Sequence, residues 1–111
     1  MLARRWTPVL VHGPSMVPVL RHGDAVLVRR GAAIHPGDIV VGAFVARPDL
    51  LVVKRAVREV DGGWWLESAN SAVTDDSRRY GAATVYGRVV WRYWPPRKLG
   101  RVTSSTSRRR L

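Results

Sequence analysis

Ser15 and Lys54 are the two side chains whose type and setting suggest chemistry. Ser15 stands in the run Gly13-Pro14-Ser15-Met16-Val17-Pro18. Flanking Pro and Gly constrain the backbone and hold a short side chain outward, although the same wording also makes an ordinary turn. A serine hydroxyl is a poor nucleophile until a base takes its proton. Histidine is the usual base, and a lysine amine replaces it in the Ser-Lys variant. Lysine does so only when desolvation holds it neutral against a reference pKa of ~10.4. Within residues 1–96, twelve of the thirteen basic residues are arginines, which keep their protons, and Lys54 is the one amine.

His12, His22 and His35 offer a rival base or a metal site. His12 lies three residues from Ser15. All three sit in turn-like wording without ligand spacing, so they read as surface residues, and no metal or other cofactor is expected. The chain has no cysteine, which excludes disulfides, thiolate metal sites and cysteine nucleophiles.

Short β-type runs between turn signals must position these residues. Ala25–Arg29 follows Arg21-His22-Gly23-Asp24, and Ile39–Val45 follows Pro36-Gly37-Asp38. Leu50–Val60 follows Arg47-Pro48-Asp49, Trp64–Glu67 follows Gly62-Gly63, and Thr84–Trp94 ends before Pro95-Pro96. At least five strands at this spacing predict a mainly β fold, a barrel or tightly coiled antiparallel sheet. Helix is expected only around Met16–Arg21, and short, because Pro18 restricts its neighbour. Alternation puts Lys54 on one face with Leu50, Val52 and Ala56. That face favours a desolvated lysine; the alternative is an edge strand whose Lys54 faces water and blocks aggregation.

The chain has 111 residues, 46% of them apolar, which suits one domain with one core. Its net charge is +11, and the excess is uneven. Residues 1–96 form the expected domain, with 13 basic and 8 acidic residues. Residues 97–111 carry six basic residues, no acid and a run of Ser and Thr, and read as a disordered tail. Such a tail can attract nucleic acid or an anionic membrane, or simply keep the protein in solution. No apolar run reaches the ~20 residues of a membrane span. The run after the basic start is also too short for a secretory leader, so a cytoplasmic protein is expected. Trp64-Trp65 and Trp91, Tyr93 and Trp94 keep a second class open, a basic barrel that stacks nucleic-acid bases.

Four boxes in order decide between these classes. Gly13–Arg30 (GPSMVPVLRHGDAVLVRR) resembles the serine box of type I signal peptidases. His35–Val41 (HPGDIVV) is similar to their next strand box, and Leu50–Val57 (LLVVKRAV) to the box holding their catalytic lysine. Ala69–Gly81 (ANSAVTDDSRRYG) resembles their last box, with Ser68-Ala69 in place of the usual Gly-Asp before Asn70. The compact spacing of 39 positions from Ser15 to Lys54, the serine-box wording and the turn at Asp61–Trp65 are most similar to a short branch, the nickel-type superoxide dismutase maturation proteases.

The resemblance implies a small coiled antiparallel β-barrel and a Ser-Lys endopeptidase that removes an N-terminal leader from a protein precursor. In the branch that precursor is a nickel superoxide dismutase, whose metal belongs to the substrate. Ser15 is then the nucleophile and Lys54 the general base. The Ser15 N–H donates to the oxyanion, and Gly13 falls where some members carry a second donor, a serine hydroxyl. Thr74 falls where a hydroxyl orients the lysine. Asp76 and Arg78 match a structural ion pair, with Asn70 and Ser77 in the same supporting box, and Met16 shapes the substrate pocket. Exposed aromatic and apolar residues near such a site can face lipid or substrate, which leaves a peripheral membrane position and other leaders open. Self-cleaving SOS-repressor proteins share the dyad, but no Ala-Gly cleavage loop precedes Ser15.

Overall fold

The computed structural model describes residues 5–96 and 99–102. Its seven strands are β1 (Trp6–Leu10), β2 (Ala25–Arg30), β3 (Ile39–Phe44), β4 (Val52–Val60), β5 (Gly63–Glu67), β6 (Ala83–Trp94) and β7 (Gly100–Arg101). One short helix, α1 (Ser77–Tyr80), lies between β5 and β6. The sheet runs β1-β2-β6-β3-β4-β5, and β5 returns to pair with β6. All these pairings are antiparallel. The expected mainly β, barrel-like architecture is therefore present, as a coiled sheet with a partial ring of β6, β3, β4 and β5.

β6 is the hub because it has 12 residues and room for several partners. Register shifts opposite Ala25/Val26, Leu27/Val28 and Val41/Gly42 bend it, as bulges do, so the sheet coils instead of lying flat. Ring closure meets at Trp64 opposite Ala83. Gly63 permits it: a side chain there would collide with the Ala83 carbonyl, and its φ of 147° disfavours any other residue.

Two clusters fill the interior. Val11, Met16 and Leu20 from the serine loop pack with Val26, Val28, Ile39, Val41 and Val89. Inside the ring, Val40, Phe44, Ala56, Leu66 and Ala83 form the second cluster, and Tyr80 of α1 stacks on Phe44 with centroids 5.0 Å apart. Fully burying an aliphatic side chain contributes ~1.5–3 kcal/mol, so these clusters hold the sheet's two faces together.

Two expectations are corrected. The Met16–Arg21 segment is a turn and not a helix, with Val17 N–H donating to Pro14 O and Leu20 N–H to Met16 O. Pro18 has no N–H to continue the ladder. The helix instead starts after Asp76, whose carboxylate caps the N–H of Arg78. Order also extends past residue 96. Gly100–Arg101 pairs with Trp91 and Arg92, and Val102 packs on the first cluster, while 97–98 and 103–111 of the expected tail lie outside the described residues. A seventh strand with a half-buried anchor gains ladder bonds that composition alone does not reveal. β1 is a strand beyond the five delimited from the sequence; it alternates exposed and half-buried residues from Trp6 to Leu10 and pairs in register with β2.

Candidate active site

Ser15 sits half-buried in the turn between β1 and β2. The turn is held from several sides. Val11 N–H donates to Asp24 O, and Gly23 N–H to Val11 O, which closes the loop at its base. Buried Asp24 accepts from Arg21 N–H at 2.9 Å and faces Arg92 at 3.4 Å, while Arg92 also donates to Val19 O. Asn70 grips the Ser15 end: its N–H donates to Ser15 O at 2.8 Å and its side-chain amide to Pro14 O at 3.1 Å. Met16 is fully buried beneath. The Ser15 N–H donates to no protein acceptor among the described residues, so it remains available to a developing oxyanion.

Gly13 takes φ +80°, and its N–H donates to His22 Nδ1 at 3.0 Å. That bond makes it a brace for the loop and commits its N–H away from the cleft. His12 meets the His22 ring edge-on at 5.5 Å. His35 is tied to Asp38 in the turn before β3. Among the described residues, no three metal-ligating side chains gather.

Lys54 lies within β4, between β3 and β5, and is 5% exposed. The edge-strand alternative is thereby excluded, because β4 has a neighbour on each side and Lys54 points inward beside buried Ala56. Burial lowers its pKa below the usual lysine value. The charges of Asp76 and Asp75 pull it back up, and Arg78 pushes it down again. Desolvation prevails because Asp76 is already engaged. Its fully buried carboxylate accepts from Ser68 N–H, Arg78 N–H and the Arg78 guanidinium, the last at 2.6 Å. Burial pushes the Asp76 carboxyl up, but these hydrogen bonds, led by Arg78, hold it below the usual range.

Lys54 Nζ donates to Ser68 Oγ at 2.9 Å in a buried contact. Sequence matching assigned an orienting hydroxyl to Thr74, which is exposed and makes no hydrogen bond through its hydroxyl among the described residues. In the sequence Ser68 stands only as a departure from the usual Gly-Asp wording. Its signal was a small hydroxyl residue next to the box that closes over Lys54. Ser77 is buried and accepts from Leu66 N–H at 2.7 Å, so it fastens α1 to β5 and stays out of the cleft.

The serine turn and the lysine strand face one cavity of about 380 Å³. One wall is residues 9–12, the other residues 50–54, and Ser15, Met16 and Lys54 all line it. Ser15 and Lys54 are not hydrogen-bonded to each other among the described residues. Such bonds are often long without substrate and tighten in the reacting complex. The walls are largely aliphatic, with the hydroxyl and amine converging between them, which suits an extended peptide.

A coiled sheet that turns a serine loop and a buried lysine toward one apolar cleft is the architecture of a peptidase. Residues 5–90 match the Peptidase S24-like family, and the chain belongs to that family. It is 31% identical to mitochondrial inner membrane protease subunit 1 of Xenopus tropicalis, over 91% of this chain and 77% of that protein. It is 28% identical to mitochondrial ATP-independent inner membrane protease subunit 1a of Arabidopsis thaliana, over 81% of this chain and 71% of that one. Among the described residues, no helix is long and apolar enough to cross a membrane.

Proposed function

We propose that this chain is a Ser-Lys endopeptidase that removes N-terminal leaders. The observation that carries the reading is the shared cleft, where Ser15 and a buried Lys54 with a lowered pKa face the same apolar channel. Ser15 Oγ attacks the scissile carbonyl carbon while Lys54 Nζ takes its proton. The tetrahedral oxyanion receives the Ser15 N–H. As the C–N bond breaks, the Lys54 ammonium returns the proton to the leaving amine. The Lys54 amine then deprotonates a water that hydrolyses the acyl-Ser15 ester. Ser68 positions the amine, and Asn70 positions the nucleophile loop.

The serine-box wording and compact spacing favour a nickel superoxide dismutase precursor as substrate. A membrane-surface setting has independent support. The outer face of β1, β2 and β6 lines up Trp6, Leu10, Leu27, Trp91 and Trp94 with Arg29 and Arg88, and Trp94 is 55% exposed. Aromatic rings among arginines suit a lipid interface. Leu10 belongs both to this face and to the cleft, so a leader held at a bilayer could enter directly.

Mass spectrometry of the precursor with the protein and with Ser15→Ala tests the reaction. One leader cut made only by the unmutated chain supports it. Cleavage that persists in both Ser15→Ala and Lys54→Arg overturns the dyad, because arginine keeps the charge and cannot act as a base.

A further inference from the structure

Backbone donors run out just before the nucleophile. Pro14 has no N–H, and the N–H of Ser15 stays available to an oxyanion. The last amide that can hold the chain on the entering side of Ser15 is therefore that of Gly13. It donates to the Nδ1 of His22 at 3.0 Å, nine residues on. This bond carries the pairing of the loop's two limbs past Val11, whose N–H and carbonyl are engaged by Asp24 and Gly23. On the leaving side, Asn70 holds Pro14 O and Ser15 O. His22 and Asn70 thus clamp the serine between them. Glycine makes the clamp necessary. A side chain at Gly13 would meet nothing within 4 Å, so packing does not fix this residue, and its φ of +80° is one of many conformations open to glycine. His22 is itself held. Arg21 N–H donates to Asp24 Oδ2 at 2.9 Å and Asp24 N–H to Arg21 O, which closes its turn, and the His12 ring packs on it edge-on at 5.5 Å.

We propose that His22 is a positioning residue for Ser15, and that a proton taken up at its Nδ1 releases the Gly13 N–H and slackens the nucleophile loop. The inference rests on the Ser-Lys reading of the cleft. A neutral imidazole has one accepting nitrogen, so with Gly13 N–H on Nδ1 the ring proton sits on Nε2. An imidazolium has two donors and no acceptor, and a second proton sets donor against donor. His22 is exposed, so that proton comes directly from solvent. The charged and titratable groups around it are Arg21 and Asp24 on its own turn, His12 on the facing limb of the loop, and Arg92 of β6. Lys54 of β4 shares with His12 the lining of the cleft. Asp24 is committed to Arg21 N–H and faces Arg92 at 3.4 Å, and His22 makes no ion pair among the described residues. No carboxylate therefore offsets the lost bond when the ring becomes charged.

The test is kcat against pH for one precursor peptide, from about pH 5 to 9, a span that contains the titration of histidine side chains. Lys54 alone gives a one-proton acid limb. In the unmutated chain kcat should fall a further three- to tenfold, about the weight of one hydrogen bond, with KM unchanged. His22→Asn puts an oxygen where Nδ1 stands and takes up no proton, so it should match the unmutated chain at the alkaline end and lose the extra fall. His22→Phe should show the lowered kcat at every pH. His12→Phe keeps an aromatic edge against His22 and should retain the extra fall. A one-proton limb in the unmutated chain overturns the role of His22 and leaves the peptidase reading intact. So does an extra fall that survives His22→Asn or disappears with His12→Phe. Absence of any cut by the unmutated chain at every pH overturns the peptidase reading and this inference with it.

Discussion

The serine turn and the lysine strand solve opposite problems with opposite means. The turn must leave a hydroxyl reachable, so Ser15 is half-buried and its loop is fixed through backbone groups: Asn70 on Pro14 and Ser15, Asp24 on Val11, His22 on Gly13. The strand must strip water from an amine, so Lys54 is threaded between β3 and β5 and its Nζ meets one hydroxyl. A loop pinned by its backbone can present any small side chain. A buried amine depends on its surroundings, because a dry site without a partner costs stability and a carboxylate beside it restores the charge. The segment from Ser68 to Arg78 serves both sides, since Ser68 holds the amine, Asn70 the turn, and Asp76 the N–H of Ser68.

The comparison breaks most completely by removing either group of the proposed dyad. Ser15→Ala or Lys54→Arg should lower kcat by about a thousandfold or more in a peptide-cleavage assay. The two sites should then part company in stability. Lys54→Met should leave the fold intact and raise the melting temperature, because it removes the cost of drying an ionisable amine, whereas Ser15→Ala should barely change it.

Asp76→Ala comes next. It strands the N–H groups of Ser68 and Arg78, and should destabilise the chain by about 3 kcal/mol in denaturant unfolding. With its pKa lowered by folding, Asp76 contributes stability that is complete above the ordinary carboxylate range and is lost as pH falls through its folded pKa. Lys54 acts at the other end. Its folded pKa lies below the unfolded value of 10.5, so the unfolded chain binds the extra proton between the two. Stability should rise with pH across that window and stop rising above it, and Lys54→Met should flatten that slope. Activity should rise as Lys54 deprotonates, with the limb below the ordinary lysine range.

Smaller effects sharpen the assignment of the orienting hydroxyl. Ser68→Ala should reduce kcat about tenfold with little change in KM, because the amine loses its hydrogen-bond partner but not its dry setting. Ser68→Thr should restore part of it. Thr74→Ala should change kcat less than about twofold, since the hydroxyl faces solvent. Equal losses in the two alanine variants would remove the distinction between them.

Much of this was legible without coordinates. Alternation around Lys54 places it on an aliphatic face, and the burial of Lys54 and Ala56, with Val52 half-buried, matches that period. Turn signals at Gly23-Asp24, Gly37-Asp38 and Gly62-Gly63 delimited strands that the structure contains. Local pattern does not delimit β1, whose short run from Trp6 is interrupted by Pro8, or β7, whose two residues have no pattern of their own. Both strands exist because β2 and β6 supply hydrogen bonds, and a partner distant in sequence leaves no mark on the run it pairs with.

The sequence by itself determined the candidate chemistry, because the only hydroxyl framed by Gly-Pro and Val-Pro and the only lysine of residues 1–96 are properties of composition and order. Which hydroxyl meets the amine was decided by the tertiary structure. Ser68 and Thr74 are six residues apart on one segment, and both carry the needed group. Asp76 accepts the Ser68 N–H from within the core and turns that serine inward, while Thr74 stays at the surface. A hydrogen bond of 2.9 Å depends on position in space, and the pairing of β5 with β4, Glu67 opposite Arg55, carries Ser68 to Lys54.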